Sequence, residues 1–323
     1  MKAVVYEQYG PPEVLKIKEI EKPVPKDDEV LLRVHAVSIN DWDWQLLLGI
    51  PFVNRMINGL FKPKKQILGS DVAGRIEAVG KNVKKFKIDD EVYGDLSNTW
   101  GGFAEYVCAK ENTVALKPAE MTFEQAAAIP QAAMLAVQSL IDTGKLRDGL
   151  KILINGAGGG VGTYGIQIAK QFDVEVTGVD SAEKLDMMMS LGYDHVIDYK
   201  KEDFTKSDRK YDLIVDTKTN RCVFEYLRVL NPDGVYATVG GNTSGILRVV
   251  IWGPVIKLFT KKKVQLVILQ LNKDLPYMNE LFFAGKVKSV IDGPYKLKEV
   301  PEAMRYFGEG KHKGKVVISI IDN

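Results

Sequence analysis

The spacing of apolar and polar positions changes twice along this chain. Up to about Glu120 the apolar residues fall in short segments, such as Lys2–Tyr6, Glu29–Ala36, Val72–Val79, Glu91–Tyr93 and Ala104–Cys108. Turn signals separate them: Gly10-Pro11-Pro12, Lys22-Pro23-Val24-Pro25-Lys26, Gly80-Lys81-Asn82, Asp89-Asp90 and Gly101-Gly102. Short strands punctuated by Gly and Pro predict a compact, mostly antiparallel β unit. From about Met121 to Lys263, strand and helix patterns alternate. Apolar runs at Lys151–Asn155, Val174–Val179, His195–Asp198, Leu213–Asp216 and Val235–Val239 are joined by helical patterns such as Val223–Val229. That alternation predicts an α/β unit built on a doubly wound parallel sheet. The remainder returns to a helix, Leu275–Ala284, and to strands at Ser289–Asp292 and Lys315–Ile320, the last of which is expected to complete the first unit.

The first strand of the α/β unit runs into Gly156-Ala157-Gly158-Gly159-Gly160-Val161-Gly162, and a helical pattern follows at Ile166–Lys170. A strand, a glycine turn and a helix form a dinucleotide cradle: the glycines admit a pyrophosphate to the backbone, and the helix N-terminus offers free N–H groups and a positive dipole end. Ala157, Gly159 and Gly162 fall on the three fingerprint positions, and Gly156, Gly160 and Val161 complete the turn. The next strand ends at Asp180, where an acidic residue holds the adenosine ribose hydroxyls of such cofactors. A turn or helix-capping residue is the alternative for Asp180.

Bulk properties narrow the classes. The 323 residues suggest about two domains. A formal net charge of +2 gives no field suited to nucleic acid or to an anionic membrane. The two cysteines, Cys108 and Cys222, have neither disulfide-framework nor metal-ligand spacing, which favours a reducing cytoplasm. No leader pattern opens the sequence at Met1, and no transmembrane segment is expected. The most apolar stretch, Ile246–Phe259, is broken by Arg248, Pro254 and Lys257. It reads as a helix buried at a subunit or domain contact rather than as a membrane-surface element, despite Lys261-Lys262-Lys263 behind it.

Several segments together resemble the medium-chain dehydrogenase/reductase superfamily, in its zinc-free quinone oxidoreductase-like branch. They are Met1-Lys2-Ala3-Val4-Val5, Ser38-Ile39-Asn40-Asp41-Trp42-Asp43, Leu68-Gly69-Ser70-Asp71-Val72-Ala73-Gly74, Gly102-Phe103-Ala104-Glu105-Tyr106, the glycine turn, Asp194–Tyr199 and Gly314-Lys315-Val316-Val317. The resemblance implies a GroES-like β-barrel catalytic domain (1–120 and 264–323) with an inserted Rossmann nucleotide-binding domain (121–263) and a cofactor cleft between them. It also implies hydride transfer from NADH or NADPH. Zinc-dependent relatives hold their metal with residues that map here to Asn40, Ser70 and Gln131, none of which is a good zinc ligand, so no metal is expected. The three histidines, His35, His195 and His312, are scattered, and His35 and His195 are expected to be packing or surface residues rather than ligands.

Without a Lewis acid, an acceptor that delocalises incoming charge into its own oxygen is favoured. The expected reaction is therefore reduction of a quinone or an α,β-unsaturated carbonyl. By resemblance, Asn40 is the candidate at the reacting centre, and Asp43 a capping or ion-pair residue. Trp44, Gln45 and Trp100 are candidates for the substrate pocket, with Trp42 beside them, although packing is an equal reading for the tryptophans. Gly240 and Gly241 are expected to pass close to the nicotinamide. Lys184 and Tyr199 match positions that contact the 2′-phosphate of NADPH in relatives, whereas Asp180 favours NADH. Reduction of other activated carbonyls, or service as a non-catalytic NAD(P)H-binding sensor or partner, are the alternatives. Oligomeric state is not readable, a homodimer being common among such enzymes.

Overall fold

Ten residues of nearly continuous apolar character, Glu29–Ser38, form the strand around which the first unit is built. In the computed structural model, which describes residues 1–321, this unit comprises Met1–Gln131, Leu271–Glu280 and the chain from Ser289 onward. Its first seven strands are β1 (Lys2–Val5), β2 (Lys16–Glu19), β3 (Glu29–Ser38), β4 (Asp71–Val79), β5 (Glu91–Asp95), β6 (Tyr106–Lys110) and β7 (Ala115–Leu116). β1 and β2 form an antiparallel pair of their own. β3 pairs antiparallel with β4 along its length and with β6 along Glu29–Arg33. The core beneath is built from residues such as Val34, Ile39, Leu68, Val72 and Phe103, all fully buried. β6 carries Cys108, a half-buried thiol that burial pushes up to about 11.

The second unit, Ala132–Gln270 with Leu281–Lys288, begins and ends further along the chain than the expected 121–263. Its strands are β8 (Lys151–Asn155), β9 (Glu175–Asp180), β10 (His195–Asp198), β11 (Tyr211–Asp216), β12 (Leu230–Thr238) and β13 (Lys263–Leu266). They pair in the order β10-β9-β8-β11-β12-β13, parallel throughout. This is the doubly wound order whose switch point, between β8 and β11, lies beside the first strand–helix turn. β8 and β9 are almost wholly buried, as a sheet covered on both faces requires.

Two strands return to the first unit, β14 (Ile291–Lys296) and β15 (Lys315–Ser319), and extend its sheet in the order β14-β15-β3-β4-β5-β7. β15 pairs antiparallel with β3 through Val317 and Ser38, so the last strand closes onto the first unit as expected. β14 and β15 are parallel, the exception in an otherwise antiparallel sheet.

The stretch expected to be a buried helix is the helix Thr243–Phe259, but only one side of it is covered. Gly245, Val249, Gly253 and Ile256 are buried, at helical spacing, whereas Leu258 and Phe259 are exposed. Among the described residues no helix is long and apolar enough to cross a membrane. His35 stacks on Phe123 and His195 Nε2 lies 3.1 Å from Glu175 Oε1 at the surface, a packing and a surface residue as expected, while His312 stacks on Phe307.

Candidate functional site

In the second unit, β8 ends at Asn155 and the glycine turn leads into the helix Gly160–Ala169, with Gly159 as its N-cap. The N–H groups of this first turn have no acceptor within the helix and are available to an anion. Gly156 has φ +85°, and a Cβ there would lie 2.0 Å from Thr217 Oγ1. At Gly162 a Cβ would lie 2.3 Å from the Ala157 carbonyl oxygen, so this glycine sets how closely the helix packs on its own turn. Ala157 itself is fully buried.

Asp180 stands at the end of β9, as expected, and its carboxylate is turned toward the glycine turn. Oδ2 accepts from Gly158 N (2.9 Å) and Oδ1 from Ser181 N (2.8 Å). Lys184 lies 3.4 Å from Oδ1 and is buried. Tyr199 is exposed, and its backbone N–H donates to the Asp180 carbonyl. Gly241 has φ +107° and meets the Lys218 backbone, where a Cβ would lie 2.1 Å from Lys218 O. Gly240 offers its carbonyl to Thr219 Oγ1 (2.5 Å) and Thr238 Oγ1 (3.1 Å), with open space on its Cβ side. The sequence reading missed a neighbouring knot on Asp216. It accepts from Asn155 Nδ2 (2.8 Å), from the Tyr236 hydroxyl (2.7 Å) and from the N–H groups of Lys218 and Thr219.

The first unit holds a second, largely buried constellation, in which Asn40 keeps 5% of its surface exposed. Asn40 precedes the helix Asp41–Leu48, and Asp43 on that helix accepts from Asn40 N and Gly69 N, each at 2.8 Å. Asp43 is therefore the capping residue that ties the helix to the loop before β4. Burial pushes its carboxyl up to about 7, against the pull of those two N–H groups. Asn40 Nδ2 donates to Ser70 Oγ (3.1 Å). Gln131 donates from its backbone to Asp71 Oδ2 (3.1 Å) and from Nε2 toward Asp95 Oδ2 (3.4 Å). The three positions that map to metal ligands thus belong to one buried network.

Its cation is Lys315, the first residue of β15, which sequence reasoning had placed only in a strand. The buried ammonium donates to Asn40 Oδ1 (2.5 Å) and Ile39 O (3.1 Å) and lies 3.4 Å from Asp71 Oδ2. Asp71 and Asp95 face each other across β4 and β5. Burial raises both carboxyls; the Lys315 ammonium and the Asn40 amide pull Asp71 back, while the Asp71 charge pushes Asp95 further up. Asp71 Oδ1 has no hydrogen-bond partner among the described residues.

The tryptophan expectations divide. Trp44 is partly buried and packs against the core, where a Cβ on Gly308 would touch its ring. Trp100 is also buried in that core, but its ring lies 6.5 Å from that of Trp42, which is exposed. Gln45 is partly exposed on the same helix as Trp42, and its carbonyl accepts from Ile50 N.

The alcohol dehydrogenase GroES-like domain family matches residues 26–119, and the zinc-binding dehydrogenase family matches residues 191–318. The chain is 34% identical over 336 residues to the chloroplast envelope quinone oxidoreductase homolog of Arabidopsis thaliana, covering 98% of each protein. It is 35% identical to that plant's NADPH-dependent alkenal/one oxidoreductase, covering 98% of this chain and 79% of the relative. The solved quinone oxidoreductase of Coxiella burnetii superposes with a TM-score of 0.88 at 28% identity, covering 99% of each chain. This chain belongs to the medium-chain dehydrogenase/reductase superfamily, in its quinone oxidoreductase-like branch, and is an NAD(P)H-dependent oxidoreductase.

Zinc, named in one of the matching families, does not fit the donor set. An amide, a hydroxyl and a second amide stand at the mapped positions, and an ammonium is already bound to the first of them. A dication there would meet a buried positive charge in place of thiolate or imidazole. The nicotinamide cofactor does fit. The turn Gly156–Gly162 and the helix opening at Gly160 present free backbone N–H groups of the kind a pyrophosphate requires, and Asp180 stands at the end of the next strand.

Proposed function

We propose that the chain reduces quinones or α,β-unsaturated carbonyls, with the nicotinamide cofactor supplying the hydride. The observation that carries this reading is the Lys315 ammonium on Asn40 Oδ1 at the position of a metal ligand. A site that places an amide and an ammonium there suits an acceptor that spreads incoming charge into its own oxygen. In this reading Asn40 meets the acceptor. Lys315 draws electron density from its Oδ1 and makes its N–H a stronger donor to the oxygen on which charge collects. Trp42, two residues after Asn40, and Trp100 would offer the acceptor an aromatic face.

In the second unit, the glycine turn and the opening of the helix Gly160–Ala169 hold the pyrophosphate, and Gly240 and Gly241 shape the rim near the nicotinamide. For the adenosine ribose we infer that NADPH is accepted as well as NADH. The Asp180 carboxylate is engaged by two backbone N–H groups and by Lys184, which offsets the repulsion of a 2′-phosphate. Tyr199, exposed next to Asp180, is assigned to that phosphate. The name of the Arabidopsis alkenal/one oxidoreductase supports this reading.

The test is consumption of NADPH and NADH by the purified chain against quinones, enones, saturated aldehydes and saturated ketones. Turnover confined to quinones and enones is expected. Turnover with saturated carbonyls alone, or tight NADPH binding with no acceptor reduced, overturns the reading.

A further inference from the structure

We propose that residues 50–65 form a docking surface for an anionic lipid bilayer. The short helix Phe52–Asn58 within this segment is built inside out. Two of its polar members, Asn58 and Arg55, face the protein. Asn58 is buried, donates through Nδ2 to the Tyr6 hydroxyl (3.0 Å) and accepts on Oδ1 from Lys65 N (2.9 Å). The Arg55 guanidinium lies over the Tyr9 ring, 4.8 Å from its centroid, and Nε donates to Gly49 O at 3.0 Å. Tyr9 in turn donates to Gly59 O at 2.7 Å. These ties fix the helix and the turn behind it with the apolar side outward. Phe52, Met56, Ile57 and Phe61 are 62%, 68%, 73% and 89% exposed, and Leu60 is exposed beside them. A contiguous apolar knob of this kind on a folded surface marks an interaction site.

Charge selects the occupant. Between Asp43 and Asp71 the only charged residues are Arg55, Lys62, Lys64 and Lys65, and the three lysines are exposed directly after Phe61. Apolar side chains rimmed by ammonium groups match the boundary between acyl chains and anionic headgroups, with the cations held at the headgroup level. A second copy docked through the same patch on a two-fold axis would set these cations against each other. The net charge of the whole chain conceals the feature because the excess is confined to this segment. The proposal does not depend on which acceptor is reduced.

Co-sedimentation of the full chain with vesicles tests it, using phosphatidylcholine alone and phosphatidylcholine mixed with phosphatidylglycerol. Binding to the anionic vesicles is expected to be about 100-fold tighter, from three lysines at about fivefold each, and to weaken with added salt. The variant Ile57→Asp/Phe61→Asp should lose binding to both vesicles while keeping its melting temperature and its NADPH affinity. The variant Lys62→Gln/Lys64→Gln/Lys65→Gln should bind the two vesicles alike. Wild-type chain that stays in the supernatant, or an Ile57→Asp/Phe61→Asp variant that pellets like wild type, overturns the proposal. So does a wild-type dimer in velocity sedimentation that this variant breaks, which would give the patch to a second copy.

Discussion

Each unit buries a lysine against an aspartate at the same separation, 3.4 Å, yet the two pairs are built differently. Lys184 and Asp180 are four residues apart, brought together by the turn after β9, and Asp180 also accepts two backbone N–H groups. Lys315 and Asp71 are 244 residues apart. Their cluster sets one ammonium among the carboxyls of Asp71, Asp95 and, behind Asn40, Asp43, and it leaves Asp71 Oδ1 without a partner. The first pair is held by local backbone geometry, with two N–H donors on Asp180 beside the lysine. The second exists only in the finished fold and depends on its single cation. A buried charge is tolerated according to how many other donors share it.

The largest effect expected from this contrast is on stability. Lys315→Met removes the cation beside Asp71, leaving Oδ2 the Gln131 N–H and a long Ser38 hydroxyl bond and Oδ1 none among the described residues, and should cost about 3 kcal/mol. Lys184→Met leaves two N–H donors on Asp180 and should cost about 1 kcal/mol, in the range of a single hydrogen bond. Urea unfolding of both variants measures the gap, and equal losses would dissolve the distinction. Next comes turnover: Asn40→Ala should lower kcat by about 10- to 1000-fold with NADPH affinity unchanged, as expected for the loss of one preorganised donor. Wild-type kcat in that variant removes Asn40 from the reacting centre.

A smaller effect is expected on cofactor choice. Lys184→Met exposes a 2′-phosphate to an unneutralised Asp180 and should shift the ratio of catalytic efficiencies toward NADH by about tenfold, roughly 1.4 kcal/mol. An unchanged ratio would assign the preference elsewhere. The smallest effect concerns pH. Burial raises the Asp95 carboxyl, so between about pH 4, the ordinary Asp range, and neutrality the native state holds a proton that the unfolded chain has released. Its contribution to stability therefore falls as pH rises through that window. Asp95→Asn removes the dependence, and relative to wild type it should be about 1 kcal/mol more favourable at pH 8 than at pH 5 in urea unfolding.

Legibility in the sequence follows the same division. The nucleotide cradle could be read because all its parts lie within one strand–turn–helix–strand segment, where period and glycine spacing are local signals. Asp180 was found for that reason. Its inward set was not, because nothing in the segment shows that Gly158 N and Lys184 would claim its oxygens. In the first unit, resemblance located Asn40, Ser70 and Gln131 but not their cation. Lys315 opens an apolar strand, and a lysine at a strand end looks solvated until β15 is laid beside β3. The inverted helix Phe52–Asn58 was missed likewise. Its apolar side chains resemble core positions, and only the contacts of Asn58 and Arg55 with Tyr6 and Tyr9 turn them outward. The fold class was recoverable from periodicity and resemblance, whereas the side to which a buried charge or a short helix turns is decided by distant contacts.

The raised thiol of Cys108 bears on the survival of the protein during its own chemistry. Quinones and enones are electrophiles that add to thiolates, and the ionised form is the one that reacts. Burial raises the Cys108 thiol above its ordinary value and so disfavours the reactive thiolate at neutral pH. The same burial that packs β6 against β3 thus slows the addition of such electrophiles to its thiol.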